Sequence, residues 1–303
     1  MHIYLPIAEM SIPVESVFIL GGFVGFVSGI FGVGGGFLTT PLLIFMGVPS
    51  AIAVGTQGCQ LIAAGLSGVI AYWRRSQVDF MIATIMLTGG FIGTIIGVFF
   101  FQFIRYIGQI DLIISLLYIV FLGTIGSMML FESLISSVKK KTMREEFNRM
   151  KSPTLISKLP YKMRFPRSKL YVSALVPGGI GMLSGFLVSS MGVGGGFLLV
   201  PAMIYVLGMP PLLVAGTSLL QIIFTSAFST IMHAYINGSV DVLLAVFLIL
   251  GGVIGAQIGV RASRRITGAK ARVILALLVL GVCVRLGMQL FIIPSEPFVM
   301  VEK

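Results

Sequence analysis

The chain has 303 residues, of which 57% are apolar and only 10% charged, against about 45–50% and about 25% in soluble domains. Together with a mean hydropathy of +1.06, this excludes a water-soluble enzyme, an extracellular disulfide scaffold and a nucleic-acid-binding domain, and defines an integral membrane protein. The net charge of +11 is not a nucleic-acid signal, because that requires basic residues gathered on a soluble face, whereas here most sit in short loops between apolar runs.

In chain order, the first sixteen residues, MHIYLPIAEMSIPVES, contain no Lys or Arg and two Glu. Without a basic n-region, the first apolar run is expected to be retained as a membrane span. Five apolar segments follow, at 14–33, 37–48, 50–73, 79–103 and 109–132. A polar, basic stretch occupies 133–170, and five more apolar segments run over 171–191, 196–208, 211–236, 240–260 and 271–293. Four of each five reach the length of about 20 residues that a crossing needs. The second of each does not. Gly36 to Gly47 spans about 16 Å of helix, roughly half of a hydrocarbon core. The expected fold is an all-α polytopic membrane protein with about eight to ten transmembrane helices. It divides into a first repeat (1–132), a basic linker (133–170) and a second repeat (171–303). Cys59 and Cys283 lie inside apolar runs with no partner spacing. They predict neither a disulfide nor a metal site, and no cofactor, metal cluster or catalytic triad is expected.

The two sets of segments match directly. GVGGGFL recurs from Gly32 to Gly192 at an offset of 160. AVGTQGCQ (53–60) matches VAGTSLLQ (214–221) at 161, and VDFMIATIMLTGGFIGTIIG (78–97) matches VDVLLAVFLILGGVIGAQIG (240–259) at 162. Self-similarity of this kind decides the architecture before any helix is counted.

Orientation follows from Lys and Arg. The central stretch holds eleven, the loop at 261–272 five, and Arg74 with Arg75 two, together eighteen of the 21. Tracing the chain outward from the centre puts all eighteen on one side, taken as cytoplasmic, and both termini on the external side. Five segments is an odd number, so the second copy is inverted. Inverted repeats with short, Gly-interrupted segments at matching positions point to a secondary transporter.

The glycine blocks then acquire a role. Each Gly costs about 1 kcal/mol in a helix interior, and unwound backbone is tolerated at membrane depth only where protein buries it or a wet cavity meets it. Gly32, Gly34, Gly35 and Gly36, and their counterparts Gly192, Gly194, Gly195 and Gly196, are placed near the midplane. There the helices that follow would offer two N-termini to one anion. At the same depth stand Thr56, Gln57 and Gln60 in the first copy and Thr217, Ser218 and Gln221 in the second. These are donors that could hold oxyanion oxygens without a permanent charge. Polar side chains also bridge packed membrane helices, so both roles stay open.

The doubled GxGGGFLxxP followed by a GT[QS] helix resembles the TauE/SafE family, the sulfite-exporter-like transporters of the sulfonate uptake permease group, over nearly the whole chain. The resemblance implies a multi-pass carrier in the inner or plasma membrane for small sulfur-containing anions such as sulfite or sulfonates. The family motif falls on Gly32, Gly34, Gly35, Gly36 and Pro41, with Gly55 and Thr56, and on their second-copy counterparts. Where the family usually has a small residue after Gly55 and Thr56, this chain has Gln57.

Other features are secondary. Arg285 lies deep in the last segment, about 21 Å along its helix, where it could attract anions or snorkel to the surface. His233 is expected at an interface, and Asp79 and Asp241 as helix caps. With few intramembrane carboxylates for proton coupling, an inside-negative potential of about 2.3 kcal/mol per charge per 100 mV is sufficient to drive anion export. The expected partners are the lipid bilayer and a small anionic substrate. A carrier of another anion or of a cation, or a non-transporting membrane protein, remain the competing classes.

Overall fold

The computed structural model describes residues 2–31, 34–138, 160–262 and 268–291. Its first copy begins with a short hairpin, β1 (His2–Leu5) and β2 (Met10–Pro13), followed by α1 (Val14–Phe31), α2 (Gly36–Phe45), α3 (Ser50–Trp73), α4 (Phe80–Ile107) and α5 (Ile110–Val138). The second copy repeats the order: β3 (Lys162–Phe165), β4 (Leu170–Ser173), α6 (Leu175–Met191), α7 (Gly196–Tyr205), α8 (Pro211–Met232), α9 (Val242–Ala262) and α10 (Gly268–Phe291). Among the described residues, seven helices are long and apolar enough to cross a membrane. The short α2 and α7 have ten residues each, about 15 Å. They are the half-length segments expected from the spacing of Gly36 and Gly47.

The hairpins are not anticipated by the apolar pattern. Strands of four residues carry too little alternation to read, and the segment expected as a helix from residue 171 starts as a strand, its helix beginning at Leu175. The repeat nevertheless extends into them. Leu5 pairs with Met10 and, 160 residues on, Phe165 pairs with Leu170. Glu9 and Lys169, at the ends of the two turns, adopt φ of 52° and 53°. Residues 162–170, expected as part of the linker, hold strand β3, the turn and the first residue of β4 of this hairpin.

Helix packing crosses between copies. Gly21, Gly25 and Gly29 of α1 lie against backbone of Leu248, Gly252 and Ala256 on α9, and Gly251, Gly255 and Gly259 of α9 return the contact to α1. The twin pair is α6 with α4, where Gly181 and Gly185 face carbonyls of Met86 and Gly90, and Gly89 and Gly93 face those of Gly178 and Met182. Small residues every fourth position let membrane helices approach backbone to backbone. Helices α3 and α8 run through the middle and are the most buried, while α5 and α10 pair at the periphery. Phe99, Phe103, Leu116, Val120, Ile254 and Leu277 point outward, the apolar belt that lipid covers.

Loop contacts assign the two ends of the bundle. Asp79 opens α4 beside Ser168 of the second hairpin, while Asp241 opens α9 beside Ile7 of the first. Arg105, near the far end of the 28-residue α4, donates to the carbonyl of Asn237 at 2.6 Å. Hairpin β1–β2, Arg105 and the loop to Asp241 thus share one end. Hairpin β3–β4, Asp79 and the Arg74–Arg75 loop share the other.

A methyl group at Gly93 or Gly185 would collide with a backbone carbonyl of the partner helix, whereas one at Gly281 meets nothing within 4 Å. Gly93→Val and Gly185→Val are expected to lower stability in detergent by at least the about 1–3 kcal/mol of overpacking, and Gly281→Val to leave it nearly unchanged, as read by thermal unfolding.

Candidate functional site

The site is built from the two broken segments. Gly34 and Gly35 adopt φ of 84° and 72°, and Gly194 and Gly195 adopt 78° and 62°. Side chains with a Cβ avoid this left-handed region, which is why the turns leading into α2 and α7 are glycine. The carbonyl of Gly35 accepts from Leu38 and Thr39 at 2.9 and 3.2 Å, and that of Gly195 from Leu198 and Leu199 at 3.1 and 2.9 Å. The first amides of each helix lie outside its own ladder.

The two turns touch. A Cβ built on Gly36 would lie 2.9 Å from the N and Cα of Gly194, and one built on Gly194 would lie 3.0 Å from the N of Gly36. One residue on, Phe37 and its twin Phe197 stack with ring centroids 4.8 Å apart and planes 20° apart. Helix N-termini carry roughly half a positive charge each. Here two of them meet in a buried place. Gly32 lies outside the described residues. Gly192, at φ 75°, caps the end of α6 rather than opening α7.

The polar residues expected at this depth divide into two groups. Gln57 reaches between the copies, its Oε1 beside Gly36 and its Nε2 beside Gly192, and the Oε1 has no hydrogen-bond partner. Gln221 is fully buried, its Oε1 at 3.5 Å from Ser184 Oγ and its Nε2 without a partner. These two amides retain free capacity at the centre. The Gln60 amide is engaged: Thr39 Oγ1 donates to its Oε1 at 2.8 Å, and its Nε2 donates to the carbonyl of Gly21 at 3.2 Å. Ser218 Oγ donates to the carbonyl of Ala215 at 3.1 Å.

Thr56 and Thr217 form a latch that exchanges between copies. Thr56 Oγ1 accepts from the backbone N of Asp241 at 2.9 Å, and Thr217 Oγ1 accepts from that of Asp79 at 3.0 Å. The preceding glycines give the incoming loop its space. A Cβ on Gly55 would lie 2.6 Å from Ser239 Oγ, and one on Gly216 would strike the carbonyl of Gln77. Each aspartate then caps its own helix. Asp79 Oδ1 accepts from Met81 and Ile82 at 3.1 and 3.3 Å, and Asp241 Oδ1 accepts from Leu243 and Leu244 at 3.0 and 3.1 Å. The second oxygens hold the opposite copy's hairpin, Asp79 at Ser168 N and Asp241 at Ile7 N, both 3.1 Å.

Several participants carry no signal in the sequence pattern. Tyr118 OH and Thr40 Oγ1 donate to the carbonyls of Met191 and Gly192 at 2.8 and 3.3 Å, supplying partners at the end of α6, where helix geometry leaves carbonyls unpaired. A tyrosine in the fifth apolar segment is the one available clue to them, since a buried phenol generally needs a partner. His233, expected near the external end of its helix, does lie close to that end but is packed inside the protein. It is buried at the start of a π-helical turn over His233–Asn237, donating from Nε2 to the carbonyl of Ser189 at 2.8 Å and accepting from Asn237 at Nδ1 at 3.0 Å. Arg285 is exposed, its guanidinium 4.6 Å from the ring centre of Phe45 at the last residue of α2. That is the opposite end of α2 from the glycine turn, about 15 Å away. Among the described residues no group of His, Cys, Asp or Glu could hold a metal ion.

If Thr56 and Thr217 are latches, Thr56→Val and Thr217→Val should each cost about 1–3 kcal/mol, the penalty of a buried amide left without its acceptor. Thr→Ser at either position should restore most of it, as measured by thermal unfolding. A weakened solute affinity at unchanged stability would instead make these hydroxyls substrate ligands.

Comparison with known proteins places the chain in a family. The family model described as "Sulfite exporter TauE/SafE" matches residues 17–286. The chain is 26% identical over 265 residues to "Probable membrane transporter protein YjnA" of Bacillus subtilis, covering 88% of this chain and 96% of that protein. It is 29% identical over 256 residues to "Probable membrane transporter protein YunE" of the same organism, covering 82% and 87%. It is likewise 29% identical over 258 residues to a "Probable membrane transporter protein" of Xylella fastidiosa, covering 82% and 85%. No solved structure matches the chain.

Proposed function

The chain belongs to the sulfite exporter TauE/SafE family and is a multi-pass membrane transporter, not an enzyme, and on that premise we propose that it carries small sulfur-containing anions by alternating access, with export favoured. The observation that carries this reading is the contact of the two glycine turns, which brings the N-termini of α2 and α7 to one buried place. Backbone amides and the free Nε2 of Gln221 suit a small oxyanion, because they supply donors without a fixed charge that would hold it too tightly to release.

The copies act as inverted repeats in this proposal. Its support is that the equivalent hairpins stand at opposite ends of α4, one by Asp79 and the other on the side of Arg105. The end with Arg74, Arg75 and the basic central stretch is assigned to the cytoplasm of the cell by the excess of Lys and Arg there, and both termini to the external side. The solute is bound where the repeats meet, as alternating access requires.

Coupling follows from the acidic residues. Among the described side chains, Glu9 stands in a hairpin turn, and Glu15, Asp79, Asp111 and Asp241 at helix starts. None is placed to carry a proton through the middle of the bundle. The membrane potential is then the driving force, and with the inside negative it moves anions outward.

Purified protein in liposomes loaded with sulfite, sulfate, thiosulfate or an organic sulfonate should show saturable efflux of at least one sulfur anion, accelerated by an inside-negative potential and indifferent to collapse of a pH gradient. Gly35→Val and Gly195→Val should each abolish it with insertion intact. Absence of flux for the whole panel, or normal flux in both glycine variants, would contradict the proposal.

A further inference from the structure

The seam between α3 and α8 is chemically different in its two halves. On the side of Arg105 and Asn237, the buried hydroxyls of Ser226, Thr230 and Ser239 have no hydrogen-bond partner. Thr230 Oγ1 is packed against Gly58, and Ser239 Oγ stands over Gly55. Ser226 and Ser239 are 0% and 2% exposed, so these are not surface hydroxyls turned to solvent. An unpaired buried hydroxyl costs about 1–3 kcal/mol. Two on α8 and one on the loop that closes over α3 at the same end are tolerated where water or a polar solute can enter to pair with them.

The repeat supplies an internal control. At the offset of 161, the twins of Gly58, Ser226 and Thr230 are Leu219, Gly65 and Val69. Val69 and Leu219 pack in one apolar cluster with Ile223. A Cβ on Gly65 would lie 2.8 Å from Ile223 Cγ1, and Gly68 stands as close to Leu219 Cδ1. The same place in the fold is therefore lined by hydroxyls in one half and filled by aliphatic side chains in the other. Helix packing alone gives no reason for such a difference between equivalent positions.

We propose that the Ser226–Thr230–Ser239 side of the α3–α8 seam is a hydrated half-path for small oxyanions to the glycine turns, and that Val69, Leu219 and Ile223 form a dry gate across the other half. This rests on the transporter reading above and adds to it which side admits water when the bundle opens. Hydroxyl donors suit an oxyanion shedding its hydration shell, and the half-path leads along α3 to Gln57, whose Oε1 stands free beside Gly36.

The test is thiol accessibility in a background of Cys59→Ala and Cys283→Ala, with single cysteines at Ser226, Thr230, Val69 and Ile223. Two small impermeant methanethiosulfonates are applied from the Arg105 side, one carrying a sulfonate and one a trimethylammonium group. Ser226→Cys and Thr230→Cys should react at least tenfold faster than Val69→Cys and Ile223→Cys. Equal rates at all four positions, or faster reaction at Val69 and Ile223, would overturn the half-path. A faster reaction of the sulfonate reagent at Ser226 and Thr230 supports anion selectivity. Equal rates for the two reagents leave the half-path standing and overturn the anion reading. As a second measurement, the near-isosteric Thr230→Val should insert normally and lower flux at least tenfold, and unchanged flux would contradict the proposal.

Discussion

Backbone that leaves helical geometry inside hydrocarbon loses several kcal/mol for each polar group left without a partner, and much of this structure answers that constraint. The end of α6 receives Tyr118 and Thr40 from the other copy. The two glycine turns stack on each other so that neither is left facing lipid. A single copy lacks these partners. The second copy is thus part of the first copy's structure.

The same dependence recurs at the ends of the bundle. Thr56 closes on Asp241 and Thr217 on Asp79, and each aspartate holds the hairpin that begins the opposite copy. Between the ends, α1 packs on α9 and α6 on α4 through glycines facing carbonyls. What the exchange leaves at the centre is two helix N-termini and two glutamines with unpartnered amide atoms. The free polar atoms at the centre are in this sense what remains of the polarity needed to fold a broken helix in a membrane.

Much of this is legible in the sequence. The recurrence of GVGGGFL and the short spacing from Gly36 to Gly47 show two broken half-length helices, because glycine and proline interrupt an otherwise continuous apolar run. The helix-capping role of Asp79 and Asp241 follows from their position at segment starts. The partner of each helix does not follow: glycine periodicity in α1 shows that something approaches closely, without showing that it is α9. Thr56 reads equally well as a ligand or as a brace, because a hydroxyl's role depends on which loop arrives above it. The burial of His233 is hidden for a similar reason, since its partners, Ser189 and Phe101, come from distant segments.

The most direct test of the central idea, that the facing N-termini of α2 and α7 hold the anion, is to locate a bound substrate analogue. Selenite shares the shape and charge of sulfite, and its selenium is visible by anomalous diffraction from crystals grown with it. One buried peak is expected within hydrogen-bonding reach of the first amides of α2 and α7, near the free Nε2 of Gln221. Selenite found only beside Arg285 or the basic loops, with none at the glycine turns, would contradict it.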